Sequence, residues 1–290
     1  MKKFLAIMLA LVMVVGMFAA CGGNGNETTA GTTEGANNSG TTAGTTEATT
    51  EGTTEGDAAG FTTIEEGKLL MSTNAAFPPY EMTTDDGGFE GIDVEIAEAI
   101  AEKLGLELVI LDMEFDAALL AVQNGKSDIV MAGVTVNEDR KLVMDFSEFY
   151  SAGVQVVIVK EGSDVTMDNL GEKMIGTQRG TTGYILASAP VEEDGYGEDH
   201  VIAYDNGMTA VQALKNGQVD CVIIDNAPAQ EFVAANPGLT ILDGEWLNED
   251  YAIGMAKGNT GLVNAVNAAL AELIADGTVQ SIIDKYIVAE

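Results

Sequence analysis

The feature that most constrains the fold is an alternation of strands and helices that begins at Gly67. The apolar run KLLMSTNA predicts a strand, and GIDVEIAEAIAEKLG places isoleucines at helical spacing before a glycine that ends the helix. LELVILDM and SDIVMAGV predict two further strands, with the short helix DAALLAVQNG between them. Strands that alternate with helices in this way favour a parallel α/β sheet.

The alternation restarts after the extended segment FSEFYSAGVQVVIV, so the chain carries two α/β units. KMIGTQRG and VDCVIIDN predict strands, and TTGYILASA and GMTAVQALKNG predict helices. A long helix follows, with an apolar stripe of Leu262, Val266, Leu270 and Leu273. Extended apolar segments near Ser151 and Tyr251 would cross between the units. We therefore assign residues 61–151 and 252–290 to the first unit and residues 152–251 to the second.

The N-terminal segment is not expected to contribute to a core. MKKFLAIMLALVMVVGMFAAC has two lysines, an apolar run and small residues before Cys21, which predicts a secretory signal peptide at residues 1–20. Cysteine directly after FAA resembles a lipobox and would be lipidated; an ordinary residue after a conventional signal is the alternative. Residues 21–60, rich in Gly, Thr and Glu, predict a disordered linker. The protein would then be anchored by lipid to the outer face of the cell membrane.

Charge and composition exclude several functions. The formal net charge of -33 argues against nucleic acid, whose phosphates need a basic surface. His200 is the only histidine, which excludes a His-based triad or a His-rich metal site, and we expect no metal or cofactor. Besides Cys21 there is one cysteine, Cys221, in an apolar run, so we expect a small buried side chain and no disulfide.

The segment MAGVTVNEDR, residues 131–140, follows a predicted strand and contains one of only two arginines in the chain. Open α/β sheets bind ligands at the carboxyl ends of their strands, where free N–H groups at a helix start favour an anion. Arg140 could fork onto a carboxylate with two charge-assisted hydrogen bonds, and Thr135 adds a hydroxyl beside it. The alternative is a solvated arginine on a helix face.

The second unit offers an anion-binding turn and an acid. GTQRGTTGY, residues 176–184, predicts a strand-to-helix turn that presents backbone N–H groups, and it lacks the GK[ST] of a nucleotide-binding loop. Asp225 ends the apolar strand VDCVIIDN. An anion site on one unit and an acid on the other suit a zwitterion, with its carboxylate on Arg140 and its ammonium on Asp225. Capping of the following helix explains Asp225 about as well.

The motifs of this chain, in the order in which they occur along the sequence, resemble those of the solute-binding proteins of ATP-binding-cassette (ABC) importers for polar amino acids. The resemblance covers nearly all of residues 66–287 and includes NAAFPPYE, GIDVEIAEAIAEKLG, LAVQNGKSDIVMAGVTVNEDRKLVMDFSEFY, GTQRGTTG, GQVDCVIIDN and LAELIADGTVQSIIDKY. It implies an α/β, two-lobed, type II periplasmic-binding-protein-like fold whose lobes close around a two-stranded hinge. It also implies a monomer that binds a free amino acid, delivers it to an ABC permease and ATPase complex, and is not an enzyme.

The resemblance further implies which residues would hold the ligand backbone. Arg140, Thr135 and the backbone N–H of Thr182 would bind the carboxylate. Asp225 and the carbonyl of Gly133 would bind the ammonium group. Each of these residues stands at the matching place in a quoted motif.

Four more residues match positions that face the ligand side chain. The rings of Phe77 and Phe115 would sandwich it, with core packing as the alternative for both. Asn74 and Gln178 fall where family members differ with substrate, and two neutral amides would favour a polar, uncharged side chain over a cationic one. Three nearby acids could instead turn toward the pocket: Glu81, Glu114 and Asp116.

Two other functions stay open at this point. The same fold can host a dehydratase acting on a prephenate-like acid, which would need a general acid in the cleft, and no residue is marked out for that role. A ligand-sensing module is the other alternative. The chain shows no second membrane segment and no kinase or coiled-coil extension, so signalling would need a separate partner.

Overall fold

The structure is a computed structural model that describes residues 60–287; the predicted signal peptide, Cys21 and the linker up to residue 59 lie outside the described residues. The strands are β1 (Lys68–Thr73), β2 (Ala76–Phe77), β3 (Glu81–Thr83), β4 (Phe89–Glu90), β5 (Glu107–Asp112), β6 (Ile129–Val130), β7 (Met144–Lys160), β8 (Ile175–Gln178), β9 (Val201–Tyr204), β10 (Cys221–Asp225), β11 (Leu239–Ile241) and β12 (Leu247–Ala256). The α-helices are α1 (Ile92–Leu104), α2 (Phe115–Gln123), α3 (Glu138–Val143), α4 (Thr182–Ser188), α5 (Gly207–Lys215), α6 (Asn226–Ala235), α7 (Thr260–Ala275) and α8 (Thr278–Tyr286).

Helices α1, α2, α4, α5 and α7 form where the sequence predicted them. Helix α1 ends at Gly105, whose φ of 70° is the left-handed conformation that glycine adopts most easily, and whose N–H bonds back to the last turn. The predicted stripe of α7 is buried along its whole length: Leu262, Val266, Leu270 and Leu273. No single helix within residues 60–287 is long and apolar enough to cross a membrane; α7 and α8, bent by 73°, pass that test only as a pair.

The larger sheet of the described chain has nine strands, in the order β5-β1-β6-β12-β7-β10-β8-β9, with β11 paired to β7. Strand β1 is parallel to β5 and β6, and β8 is parallel to β9 and β10. Strands β7 and β12 lie between these two parallel groups and are antiparallel to each other. The prediction of a parallel sheet was therefore incomplete, because the two strands that join the groups run in opposite directions. Ser151 and Tyr251, the predicted crossing points, pair in register.

Strand β6 is shorter than the run SDIVMAGV predicted. It pairs only through Ile129 and Val130, and the chain then bends at Gly133, where φ is 54°. The N–H of Gly133 leaves the sheet ladder and donates to the carboxylate of Asp93 at 3.0 Å. The bend carries the following residues over the carboxyl ends of β1 and β6, where α3 begins.

The core contains the second cysteine as expected. Cys221 is fully buried in β10 as a free thiol, and burial raises its pKa to about 12. A thiol with so high a pKa is almost wholly protonated at neutral pH, so it behaves as a small apolar side chain.

Candidate functional site

One cavity, partly open to solvent, lies at the carboxyl ends of β1, β6, β8 and β10. All nine residues expected around a ligand line it: Asn74, Phe77, Phe115, Gly133, Thr135, Arg140, Gln178, Thr182 and Asp225. Seven others also line it: Glu81, Ala132, Gln155, Thr181, Ile223, Ile224 and Glu249. Within each parallel group the strands bring their carboxyl ends to one edge, and both groups contribute residues from that edge to this cavity.

Arg140 is buried in this cavity, so the alternative interpretation of a solvated arginine on a helix face is wrong. Its side chain is held by α3, where Asn137 caps the helix and accepts from the Arg140 N–H at 2.8 Å. The guanidinium donates to the carbonyls of Thr135 at 2.7 Å and Gly180 at 3.1 Å, and lies 5.4 Å from the ring centre of Phe115.

Within the part of the chain that the structure describes, the guanidinium of Arg140 has no acidic partner. Only 6% of the residue is exposed, and none of the ion pairs within residues 60–287 includes it. Burial lowers the pKa of Arg140 to about 10, and the negative charge of Glu249 opposes this shift. A buried cation without an ionic partner is costly for the fold. The arrangement is therefore suited to receive an anion.

Two threonine hydroxyls meet beside the arginine. Thr182 donates to Thr135 at 2.9 Å, and Thr135 donates to a carboxylate oxygen of Glu249 at 2.5 Å. Thr182 is the first residue of α4, so its backbone N–H has no acceptor within its own helix. An anion that binds Arg140 can also reach this N–H group and these hydroxyls.

Asp225 lies within a network of side chains from the two joining strands. Gln155 of β7 donates through its amide nitrogen to Asp225 at 2.8 Å and to Glu249 of β12 at 2.7 Å, and the hydroxyl of Tyr251 also donates to Asp225. Burial, with the neighbouring Glu249, raises the pKa of Asp225 well above its ordinary value. Asp225 stands at the start of α6 but makes no capping hydrogen bond, so capping alone does not explain it.

The remaining predicted residues occupy the side-chain end of the cavity. Gln178 donates to the carbonyl oxygen of the Asn74 side chain at 2.8 Å, and Asn74 donates to the carbonyl of Met113 at 3.0 Å. Phe77 and Phe115 belong to the apolar core, which confirms core packing, and both also line the cavity. That they sandwich a ligand side chain stays a prediction.

Of the three acids that could have turned toward the pocket, Glu81 does so. It is fully buried and lines the cavity, and neither of its carboxylate oxygens has a hydrogen-bond partner within the described chain. Burial raises its pKa well above the ordinary value, with a further rise from Asp93 beside it. Glu114 is exposed, and neither it nor Asp116 is among the lining residues.

Sequence reasoning missed three residues of the joining strands: Gln155, Glu249 and Tyr251. Only Gln155 had a local signal, as a polar residue inside the apolar run AGVQVVIV. A buried amide needs hydrogen-bond partners, and here those partners are two carboxylates. Glu249 and Tyr251 had no such signal, because no short turn fixes the register between β7 and β12.

Comparisons with known proteins agree with this geometry. The family model described as bacterial extracellular solute-binding proteins, family 3, matches residues 69–289. The L-cystine-binding protein TcyJ of Escherichia coli strain K12 is 31% identical over 230 residues, which cover 78% of this chain and 85% of that protein. The glutamine-binding protein GlnH of Bacillus subtilis strain 168 is 28% identical over 294 residues, 99% of this chain and 98% of that protein. A solved ancestral arginine-binding protein bound to arginine has a TM-score of 0.69 and 38% identity, covering 76% of this chain and 98% of that one.

Proposed function

Since the chain belongs to the bacterial extracellular solute-binding proteins of family 3, we propose that it binds a free amino acid in its cleft and delivers it to an ABC importer. The fold is the two-lobed type II α/β fold of such proteins. The observation that carries the proposal is Arg140, a buried guanidinium that lines the cavity and has no acidic partner within the described chain. An amino acid supplies the missing carboxylate.

The ligand backbone is bound by groups of both lobes. The carboxylate accepts two hydrogen bonds from Arg140 and one from the N–H of Thr182, and the hydroxyl of Thr135 turns its proton from Glu249 to the carboxylate. The ammonium donates to Asp225 and to the carbonyl of Gly133. Asp225 is suited to this role because Gln155 and Tyr251 both donate hydrogen bonds to its carboxylate and so hold its oxygens in place. The side chain passes between the rings of Phe77 and Phe115 toward Asn74 and Gln178.

Binding acts on the equilibrium between open and closed forms. Residues 61–151 and 252–290 form lobe 1, with Thr135 and Arg140, and residues 152–251 form lobe 2, with Thr182 and Asp225. A ligand that touches both lobes binds the closed form more tightly and so shifts the population toward it. Strands β7 and β12 form the hinge, and their pairing at Ser151 and Tyr251 supports this role. No bond is broken.

The position in the cell follows from the N-terminal segment. Residues 1–20 act as a signal peptide, Cys21 is lipidated, and residues 21–60 tether a monomer to the outer face of the cell membrane. Its partners are the membrane, through the lipid, and the permease with its ATPase. Metabolic labelling with a palmitate analogue tests the anchor: we expect label on the wild-type chain and none on Cys21→Ala, and equal labelling of both would contradict it.

The function itself is tested by isothermal titration of the purified protein against the twenty amino acids. The protein is unfolded and refolded first, so that any carried-over ligand is removed. We expect at least one amino acid to bind in the micromolar range or tighter, and Arg140→Met to remove that binding. If none of the twenty amino acids bound, the proposal would be overturned. If the protein released phenylpyruvate when incubated with prephenate, the dehydratase alternative would be favoured instead.

A further inference from the structure

Glu249 is an acid of the cavity that no ligand group has been assigned to. It lies in β12, is buried and lines the cavity. One of its carboxylate oxygens accepts from the hydroxyl of Thr135 at 2.5 Å, and the other accepts from the side-chain nitrogen of Gln155 at 2.7 Å. In this structure Glu249 therefore holds a donor that the proposed function gives to the ligand carboxylate.

Pairing of the main chain brings Thr135 and Glu249 together. Thr135 forms an antiparallel bridge with Tyr251 of β12, and the N–H of Ala252 donates to the carbonyl of Val134 at 3.1 Å. Alternate side chains of a strand lie on one face, so Glu249 lies on the same face of β12 as Tyr251, two residues further along. The contact between the hydroxyl and the carboxylate is therefore built into the fold.

The hydroxyl of Thr135 has a single proton, and the carboxylate of Glu249 accepts it. Because a carboxylate can only accept, Thr135 is the donor in this contact, and its oxygen in turn accepts from the hydroxyl of Thr182 at 2.9 Å. A ligand carboxylate can also only accept. It gains the hydrogen bond from Thr135 only if Glu249 loses it, so the two carboxylates compete for one proton.

Glu249 also acts on the arginine that would receive the ligand carboxylate. Its negative charge partly offsets the cost of burying the guanidinium of Arg140. The same guanidinium donates to the backbone carbonyl of Thr135 at 2.7 Å, so Arg140, Thr135 and Glu249 form one connected group. A second carboxylate brought to this group is repelled by the first.

From these contacts we propose that Glu249 is a built-in competitor of the ligand carboxylate: it holds the hydroxyl proton of Thr135 until an amino acid binds, and so lowers the affinity of the site. The proposal rests on the amino-acid function above and adds a control of affinity to it. On binding, the hydroxyl turns from Glu249 to the ligand, and no covalent bond is made or broken. The hydrogen bond that Glu249 gives up offsets the one that the ligand gains, which favours release of the amino acid to the importer.

Glu249→Gln tests the competition, because the nitrogen of the new amide can donate to the oxygen of Thr135 and leave the hydroxyl proton free for the ligand. The oxygen of the amide can still accept from Gln155. The probe is the amino acid that binds the full wild-type protein most tightly among the twenty titrated above. We expect Glu249→Gln to bind this amino acid roughly tenfold more tightly. The matched control is Asp250→Asn, the same change at the exposed neighbouring residue, which should bind as the wild type does.

A double-mutant cycle with Thr135→Val shows whether the gain in affinity passes through the hydroxyl of Thr135. Valine has no hydroxyl, so we expect the gain from Glu249→Gln to disappear in the Thr135→Val chain, to within about threefold. A gain of equal size with and without the hydroxyl would assign the effect to charge alone and overturn the proposal. Weaker binding by Glu249→Gln would instead place Glu249 with Asp225 at the ligand ammonium, and it would overturn the proposal as well.

Thermal unfolding shows whether the variants fold. If Glu249→Gln does not fold, Glu249→Asp gives a second test, because it keeps the charge and withdraws the carboxylate from Thr135 by one methylene group. We expect Glu249→Asp to bind roughly threefold more tightly or better, and unchanged or weaker binding would overturn the proposal. Wild-type binding without any gain in Glu249→Gln would overturn this inference alone, whereas a wild-type protein that binds none of the twenty amino acids would overturn the amino-acid function.

Discussion

Replacing Arg140 with methionine separates the arginine's role in ligand binding from its role in the fold. Methionine keeps most of the length of the side chain and removes the charge and the donors. Among residues 60–287, the buried guanidinium donates to the carbonyls of Thr135 and Gly180 and forms no ion pair. In the complex the same group would fork onto the ligand carboxylate. The substitution should therefore affect the two states very differently.

The two magnitudes follow from the burial and the hydrogen bonds of Arg140. Burial lowers its pKa from 12.5 to about 10, which corresponds to about 3 kcal/mol of destabilisation of the charged form in the folded protein. Methionine relieves that cost but leaves two carbonyls without a donor, at about 1–3 kcal/mol each. The net change in unfolding free energy is therefore about 3 kcal/mol or less. Loss of two charge-assisted hydrogen bonds to the ligand costs about 3–6 kcal/mol, or roughly a hundredfold to ten-thousandfold in affinity.

Isothermal titration measures the affinity, and thermal unfolding of the ligand-free variant measures the stability. The matched control is Arg179→Met, because Arg179 is the other arginine of the chain and its half-exposed side chain lies 3.9 Å from Asp205. We expect the control to bind normally. An affinity of Arg140→Met within tenfold of the wild type would refute the assignment of the carboxylate to Arg140.

Three further predictions concern the acids and the hinge. Burial raises the pKa of Asp93 to about 6, so the folded protein binds a proton on this carboxyl more tightly than the unfolded chain does, and its stability rises as the pH falls. Between pH 8 and pH 5 this group adds roughly 1 kcal/mol, a gain that thermal melts should not find in Asp93→Asn. A Cβ at Gly153 would overlap the hydroxyl of Tyr251 and lie 2.8 Å from the carboxylate of Asp225. Gly153→Ala should therefore lower the free energy of unfolding by about 1–3 kcal/mol, and an unchanged denaturation midpoint would contradict this. Asp225→Asn keeps the shape but removes the ionic partner of the ammonium, so titration should show roughly tenfold to hundredfold weaker binding rather than an unchanged affinity.

The local sequence was sufficient to predict most elements and the two anchoring residues of the site. Gly105 ends α1, and the stripe from Leu262 to Leu273 is buried, because helix periodicity and a left-handed glycine are local properties. Arg140 follows an apolar strand of one parallel group and Asp225 ends an apolar strand of the other, and the carboxyl ends of both groups border one cavity. Their assignment to a ligand carboxylate and ammonium is a proposal that the titrations above test.

The sequence could not predict the features that depend on long-range register. Glu249 lies in the cavity because β12 pairs with β7 so that Leu247 faces Gln155, and no turn between the two strands fixes that pairing. Glu81 could equally have pointed to solvent, since β3 is only three residues long and shows no clear alternation. The sequence analysis based a preference for an uncharged ligand side chain on Asn74 and Gln178, and it left open which of Glu81, Glu114 and Asp116 would turn toward the pocket.

The central claim is that an amino-acid zwitterion is held by Arg140 at one end and Asp225 at the other. A crystal structure of the protein with its tightest ligand tests this most directly. We predict the ligand carboxylate within hydrogen-bond distance of both terminal nitrogens of Arg140, and the ammonium within the same distance of Asp225 and the carbonyl of Gly133. A ligand bound in the reverse orientation, or outside this cavity, would contradict the account.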